Sequence, residues 1–290
     1  MHVLTLIAPQ GSAALTAALI ARVAEAVHGG PAGILSDGEA ADIPIPAVPD
    51  PALVHAALDA APVDAVVTPA AGRRKRLLIA DMDSTIVTTE TLDELAAYAG
   101  LQDRVAAITR RSMNGEIDFA AALRERVGLL RGLSLDALAQ TWAATALMPG
   151  GAELVATMRA HGATTALVSG GFTYFTGRVA ERLGFHVHRA NTLLDDGTAL
   201  TGQVGAPILD RAAKLNALQE LAAEQGLAMA DCLAVGDGAN DLAMIRAAGL
   251  GVAFHAKPIV AAEAQVRIEH CGLRAVLFMQ GYTAAEFSAV

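Results

Sequence analysis

The sequence predicts an α/β fold: a parallel sheet alternating with helices, interrupted by an all-helical insertion and preceded by a small α+β unit. Three observations predict it. Residues 77–80, 164–168 and 232–235 are short apolar runs, the mark of strands buried on both faces. Each run ends abruptly in a polar cluster: Asp81 and Asp83, then Ser169-Gly170-Gly171, then Asp237, Asn240 and Asp241. Between the first two runs, residues 90–147 show helical patterning and few strand signals.

The composition suits this class. The chain has 290 residues, enough for one large domain or two modest ones. Hydrophobic residues make up 53% and aromatic residues 4%, which gives a substantial core and excludes a disordered chain. The formal charge of −9 argues against a general nucleic-acid binder or an anionic-membrane binder. Cys232 and Cys271, the two cysteines, give neither a disulfide framework nor metal-ligand spacing. Residues 3–21 carry no charge, but Pro9-Gln10-Gly11-Ser12 interrupts them and no Lys or Arg precedes them. Neither a membrane span nor a signal peptide is expected, and the expected location is cytoplasmic.

Taken in order, residues 3–7 read as a strand. Ser12 is the expected N-cap of a helix to about residue 28, with Leu15, Leu19, Val23 and Val27 on one face. Residues 34–35 and 43–48 are weak strands, 51–60 helical and 63–67 extended. Strand, helix, two strands, helix, strand is the order of a ferredoxin-like unit. It resembles the small ligand-binding ACT domains. A regulatory unit with an amino-acid effector and a plain structural or dimerising appendage, with a homodimer as partner state, both stay open. Arg73-Arg74-Lys75-Arg76 reads as a solvated linker, so the expected domains are 1–72 and 73–290.

After the first polar cluster a helix is expected over 90–99, then helices over 101–109, Phe119–Leu129 and Leu135–Ala144. Met148-Pro149-Gly150 closes the insertion. A helix at 152–161 precedes the second buried strand, and another follows at 173–183. Residues 193–200 form a hairpin turning at Asp196-Gly197. Asp210 N-caps a helix that carries Lys214 in its first turns. The third buried strand is followed by a helix to about residue 248 and a short strand at 251–254. His255-Ala256-Lys257-Pro258 follows the last short strand and is placed to flank the phosphate site, but is read as a loop without a direct role; His186 and His188 are read as surface residues.

A parallel sheet brings its strand ends together, so the three clusters and Lys214 are expected to share one crevice. Each offers something phosphoryl transfer needs. Clustered carboxylates repel one another and call for a divalent cation, and oxygen-only ligands favour magnesium. The Ser169 hydroxyl and the Gly170 and Gly171 amides can donate to phosphate oxygens, and Lys214 supplies a fixed positive charge. A carboxylate nucleophile makes an acyl phosphate that water then hydrolyses. An alkoxide leaving group must be protonated by a general acid. Asp81 as nucleophile and Asp83 as acid, then base, is the economical assignment.

Asp81-Met82-Asp83-Ser84-Thr85, Ser169-Gly170-Gly171, Lys214 and Gly236-Asp237-Gly238-Ala239-Asn240-Asp241, in this order, resemble the haloacid dehalogenase superfamily and, within it, the phosphoserine phosphatase family. The similarity covers roughly residues 75–285. It implies a Rossmann-like core, 73–89 and 148–290, with a helical cap at about 90–147. It implies magnesium held by Asp81, the Asp83 backbone carbonyl and Asp237. Asp241 would orient water around the metal, and Asn240 would reach the phosphate. The resemblance also implies phosphoserine as substrate, its ammonium meeting Glu90 and its carboxylate meeting Arg126, with Met113 and Phe119 shielding the site. Two further readings stay open. One keeps the core but changes the chemistry to phosphotransfer or to another small phosphorylated metabolite. The other is a phospho-receiver signalling module, which would lack both a helical cap and an acid at the position of Asp83.

Overall fold

The computed structural model describes residues 1–113 and 116–289, with the backbone alone of Met113. The N-terminal unit contains β1 (His2–Ile7), α1 (Ala17–Ala26), β2 (Gly33–Ser36), β3 (Ala40–Ile45), α2 (Pro51–Leu58) and β4 (Asp64–Pro69). Its strands form an antiparallel sheet in the order β2-β3-β1-β4. Helices α1 and α2 cover one face through Leu19, Ile20, Val23, Val54 and Leu58, packed on Leu4, Leu6 and Ile43. Ile7, Ala40 and Val66 turn the other face into the main core. Helix α1 starts later than Ser12 would place it. Its N-cap is Thr16, whose hydroxyl accepts from the Leu19 amide at 3.1 Å, while Ala13 sits at φ 53° and breaks any earlier turn.

The main sheet runs β12-β11-β10-β5-β6-β7 and is parallel throughout. Its strands are β5 (Leu77–Ala80), β6 (Thr164–Phe172), β7 (Val187–Asn191), β10 (Cys232–Gly236), β11 (Leu250–Phe254) and β12 (Val266–Ile268). Alternation splits each buried run between two layers. Leu77, Ile79, Ala166, Cys232 and Ala234 meet α9 (Arg211–Glu224) and α10 (Leu242–Ala247). Leu78, Ala80, Leu167 and Val235 meet α7 (Gly151–Ala160), α8 (Thr173–Leu183) and the short α12 (Ala275–Phe278).

The insertion is helical: α3 (Thr91–Tyr98), α4 (Gln102–Met113), α5 (Phe119–Leu129) and α6 (Leu135–Ala144). Its two connectors pair as an antiparallel bridge between Val87 and Leu147. A hairpin of β8 (Leu193–Asp195) and β9 (Leu200–Val204) supports it from the core, bridging Ser134 to Ala199. Helix α11 (Pro258–Glu263) links β11 to β12.

The basic run is not a solvated linker at Arg73. That side chain is 11% exposed and pairs with Asp42 of β3. It also donates to the Thr5 hydroxyl at 2.9 Å and to the Phe278 carbonyl at 3.3 Å. Arg74 lies over the Tyr282 ring and pairs with Glu286 at 2.7 Å. No helix among the described residues is long and apolar enough to cross a membrane.

Candidate active site

The crevice lies at the carboxyl ends of β5, β6 and β10. The strands carry their polar clusters there because each apolar run stops at the sheet edge. Asp81 follows β5 directly, and its amide donates to the Val235 carbonyl of β10 at 3.0 Å. The Asp81 carboxylate accepts from the Met82 amide at 2.8 Å and from Lys214 Nζ at 2.7 Å. Lys214 also reaches Asp241 at 2.5 Å and is buried. Burial alone would lower the lysine pKa, but the Asp241 and Asp81 carboxylates outweigh it and hold it above its ordinary value. Burial, with the Asp241 charge next, pushes Asp81 well above the usual carboxylate range, against the pull of Lys214.

Asp83 sits beside this pair. It accepts from the Thr91 amide at 3.0 Å, and the Ser169 hydroxyl lies 3.5 Å from its other oxygen. Burial, then the Glu90 charge, pushes its carboxyl up to about 7. A group with that value exchanges a proton near neutrality. The glycine after Gly170 makes room for it: a Cβ on Gly171 would lie 2.9 Å from Asp83 Oδ2 and 3.1 Å from Ser169 Oγ. The Gly171 amide donates to Ser169 Oγ at 2.9 Å, which fixes the hydroxyl in the crevice.

The third cluster closes the far side. The Gly238 amide donates to Asp241 at 2.9 Å, and a Cβ on Gly236 would collide with the Asp241 side chain. Carboxylate oxygens of Asp81, Asp237 and Asp241 lie within 4.8 Å of one another. Three buried carboxylates offering only oxygen suit a hard divalent cation, so these residues fit the magnesium that the sequence predicts. Asn240, Ser169, Gly170, Lys214 and Phe119 line one small cavity. Phe119 enters it from the first turn of α5, its ring 3.5 Å from where a Gly170 Cβ would stand. Phe119, Asp210 and Arg211 join this cavity to a wider one of about 420 Å³.

The expected cap pair is looser. Glu90 is exposed at the start of α3 and accepts from the Ser84 hydroxyl at 2.9 Å. Arg126 of α5 donates to the Ala122 carbonyl at 3.3 Å and the Thr109 hydroxyl at 3.5 Å. Among the described residues no carboxylate lies within ion-pair distance of it. Burial lowers its pKa, opposed by the charges of Asp93 and Glu90, so both acids face it from further off. The Met113 side chain lies outside the described residues.

Lys257, read from the sequence as a loop residue without a direct role, reaches the site. Its ammonium lies 3.4 Å from Asp237, and its amide donates to the Asp237 carbonyl at 3.1 Å. The available signal was position: residues 255–258 follow β11, a fourth strand ending at the same edge. Asp93, which faces Arg126, carried no comparable signal.

Comparison with known proteins agrees with this geometry. Residues 78–246 match the model of the haloacid dehalogenase-like hydrolases. A phosphoserine phosphatase of Streptomyces coelicolor is 42% identical over 75% of this chain and 53% of its own length. The phosphoserine phosphatase of Albidiferax ferrireducens is 47% identical over 70% of this chain and 88% of its own. The chain thus spans about half the length of several curated relatives that it matches. A probable phosphoserine phosphatase of Vibrio cholerae, solved unliganded, superposes at TM-score 0.81 and 33% identity, covering 98% of this chain and 88% of that one. The match over residues 78–246 spans more than half of the chain, and the chain belongs to the haloacid dehalogenase-like hydrolase family.

Proposed function

We propose that the chain hydrolyses O-phospho-L-serine to L-serine and phosphate with magnesium, through an aspartyl phosphate on Asp81, as the last step of serine synthesis. The observation that carries this reading is the meeting of Asp81, Asp83 and Lys214 beneath a helical cap holding an arginine without an ion-pair partner among the described residues. The names of the relatives support the substrate.

In the first step the Asp81 carboxylate forms a bond to phosphorus as the bond to the serine oxygen breaks. Asp83 gives its proton to the leaving alkoxide. In the second step the Asp83 carboxylate takes a proton from water, which attacks the acyl phosphate, releasing phosphate and restoring Asp81. A Asp83 value near neutrality serves both halves. The Ser169 hydroxyl and the Gly170 amide hold the phosphoryl oxygens, with Asn240 and Lys214 beside them; the Gly171 amide, expected to join them, instead donates to Ser169 Oγ and sets the hydroxyl. Asp81, the Asp83 carbonyl and Asp237 would hold magnesium, with Asp241 bracing them. When bound, the ion offsets negative charge on the phosphate as an anionic nucleophile approaches. Glu90 faces the substrate ammonium and Arg126 its carboxylate, with Phe119 shielding the crevice from water.

We further read residues 1–72 and 73–290 as separate domains, the second split into core (73–89 and 148–290) and cap (about 90–147). The four-stranded sheet of the first part shares no strand with the six-stranded sheet of the second, which supports that division, although Ile7, Ala40 and Val66 join the two through one core.

Phosphate release from O-phospho-L-serine, with and without magnesium, tests the activity. Phosphothreonine, phosphoethanolamine and a sugar phosphate run beside it. Magnesium-dependent release with preference for phosphoserine is expected. Release from the others but not from phosphoserine would keep the hydrolase core and discard the roles of Glu90 and Arg126.

A further inference from the structure

The two connectors of the cap meet the rest of the molecule at one place. The Met148 amide donates to the Ile86 carbonyl at 2.9 Å, and the Thr88 amide to the Ala146 carbonyl at 3.0 Å. The chain leaves this pair through Pro149 and Gly150. Gly150 has φ 82° and caps α7. The segment 272–274 lies directly against it. The Leu273 amide donates to the Pro149 carbonyl at 2.8 Å. A Cβ on Gly150 would meet the Arg274 backbone nitrogen and stand 2.9 Å from its Cγ. A Cβ on Gly272 would stand 2.6 Å from the Pro149 carbonyl oxygen. The return connector therefore has no space to shift unless Arg274 shifts with it.

Arg274 is in turn held by the N-terminal sheet. Its Nε and Nη2 donate to the two oxygens of Glu39 at 2.8 and 2.9 Å, a bidentate pair. Glu39 is 7% exposed and also accepts from the Ser36 hydroxyl at 3.0 Å. Arg274 Nη1 lies 3.5 Å from Glu153 in the first turn of α7. The guanidinium packs 4.8 Å from the Phe287 ring centroid. One turn upstream, the Asp64 carboxylate of β4 accepts from the amides of Glu269, His270 and Cys271 at 2.9 to 3.2 Å. The loop that clamps the connector is thus tied to the N-terminal sheet at both ends.

We infer that Arg274 is a positioning residue for the cap, and that Glu39 of the N-terminal sheet holds it in place, so that this sheet sets how freely the cap connectors open. Breaking the Glu39–Arg274 pair loosens residues 86–88 and 146–149 while leaving the crevice and its acids as they are. Where turnover is measured, the inference rests on the proposed phosphoserine chemistry. The exchange arm below does not.

The test is hydrogen–deuterium exchange on the full chain, comparing wild type with Glu39→Ala and Arg274→Lys. Lysine keeps the charge but loses the two-pronged contact, so it remains informative if Glu39→Ala does not fold. The amides of Thr88, Met148 and Leu273 are expected to exchange about tenfold faster in either variant, with β5 and β10 unchanged. Connector exchange equal to wild type overturns the inference. So does an equal acceleration throughout the chain, which would make the pair a matter of global stability alone. In kinetics, a cap held less firmly by its connectors raises the KM for phosphoserine about fivefold and leaves kcat within about twofold. A fall in kcat at unchanged KM would also overturn it. If phosphoserine is not turned over by wild type, the exchange result still decides.

Discussion

At the scale of single residues, the assignment of Asp81 and Asp83 makes separable predictions. Asp81→Asn removes the nucleophile but keeps a side chain of the same shape, so turnover should fall more than about a thousandfold with thermal stability retained. Wild-type-like activity in that variant would end the mechanism. Asp83→Asn should cost about 10²–10⁴-fold in both phosphorylation and hydrolysis, read by rapid-quench measurement of each step. Gly171→Ala tests the packing beside it. The new Cβ would press on Asp83 Oδ2 and Ser169 Oγ, so kcat/KM should drop about 10- to 100-fold. If instead kcat/KM stays at the wild-type level, the fit between Gly171 and Asp83 is not what holds the acid. These residues were legible in the sequence because each belongs to a short contiguous motif ending an apolar run. Lys257 was not, because its partner Asp237 lies outside its own segment and only the fold brings the two together.

At the scale of elements, the periodic signals translated well where packing follows one face. Helices α5 and α6 have the bounds that sequence patterning predicts. Asp210 caps α9 as expected, its carboxylate accepting from the Ala212 amide at 2.8 Å. The start of α1 did not translate: Ser12 is by type the better cap, yet Thr16 takes the position. The choice between them falls to the backbone at Ala13, which no side-chain pattern reports. Strand β3 begins earlier than expected because Ala40 and Ala41, both fully buried, carry little hydrophobic signal of their own. The cap tests its own role through Arg126. Among the described residues it bonds only within the cap, to Ala122 and Thr109, and on the proposed reading its charge serves a substrate carboxylate. Arg126→Met should lower kcat/KM for phosphoserine about 10- to 100-fold, the loss of a hydrogen bond to a charged group. Phosphoethanolamine lacks the carboxylate and should be nearly unaffected. Equal losses on both substrates would mean that Arg126 supports the cap and does not read the substrate.

At the scale of the whole molecule, the N-terminal sheet is buried on both faces. Strand β1 is buried along nearly its whole length, and Ile7, Ala40 and Val66 share one core with Phe278 and Tyr282. The continuous apolar run at residues 3–7 already hinted at two-sided burial, but the covering surface comes from the far end of the chain. Arg73 makes the same point for charge. Four consecutive basic residues look solvated by composition, yet the first is partnered by Asp42, Thr5 and the carbonyls of Phe278 and Met279. An arginine with several acceptors in a shielded place leaves an uncompensated carboxylate when it is removed. Arg73→Met should therefore destabilise the protein by about 3 kcal/mol, since breaking one side of a buried pair costs more than the pair contributes. Urea unfolding followed by both far-ultraviolet circular dichroism and Trp142 fluorescence reads this. Trp142 lies in α6 of the cap, far in sequence from the substitution. If the sheet and the core unfold as one unit, both probes shift to lower urea together with an unchanged slope. If the N-terminal sheet is an independent appendage, the circular dichroism curve splits and the Trp142 transition stays where it was. That second result would sink the claim that the shared core and the Arg73 network make one cooperative structure.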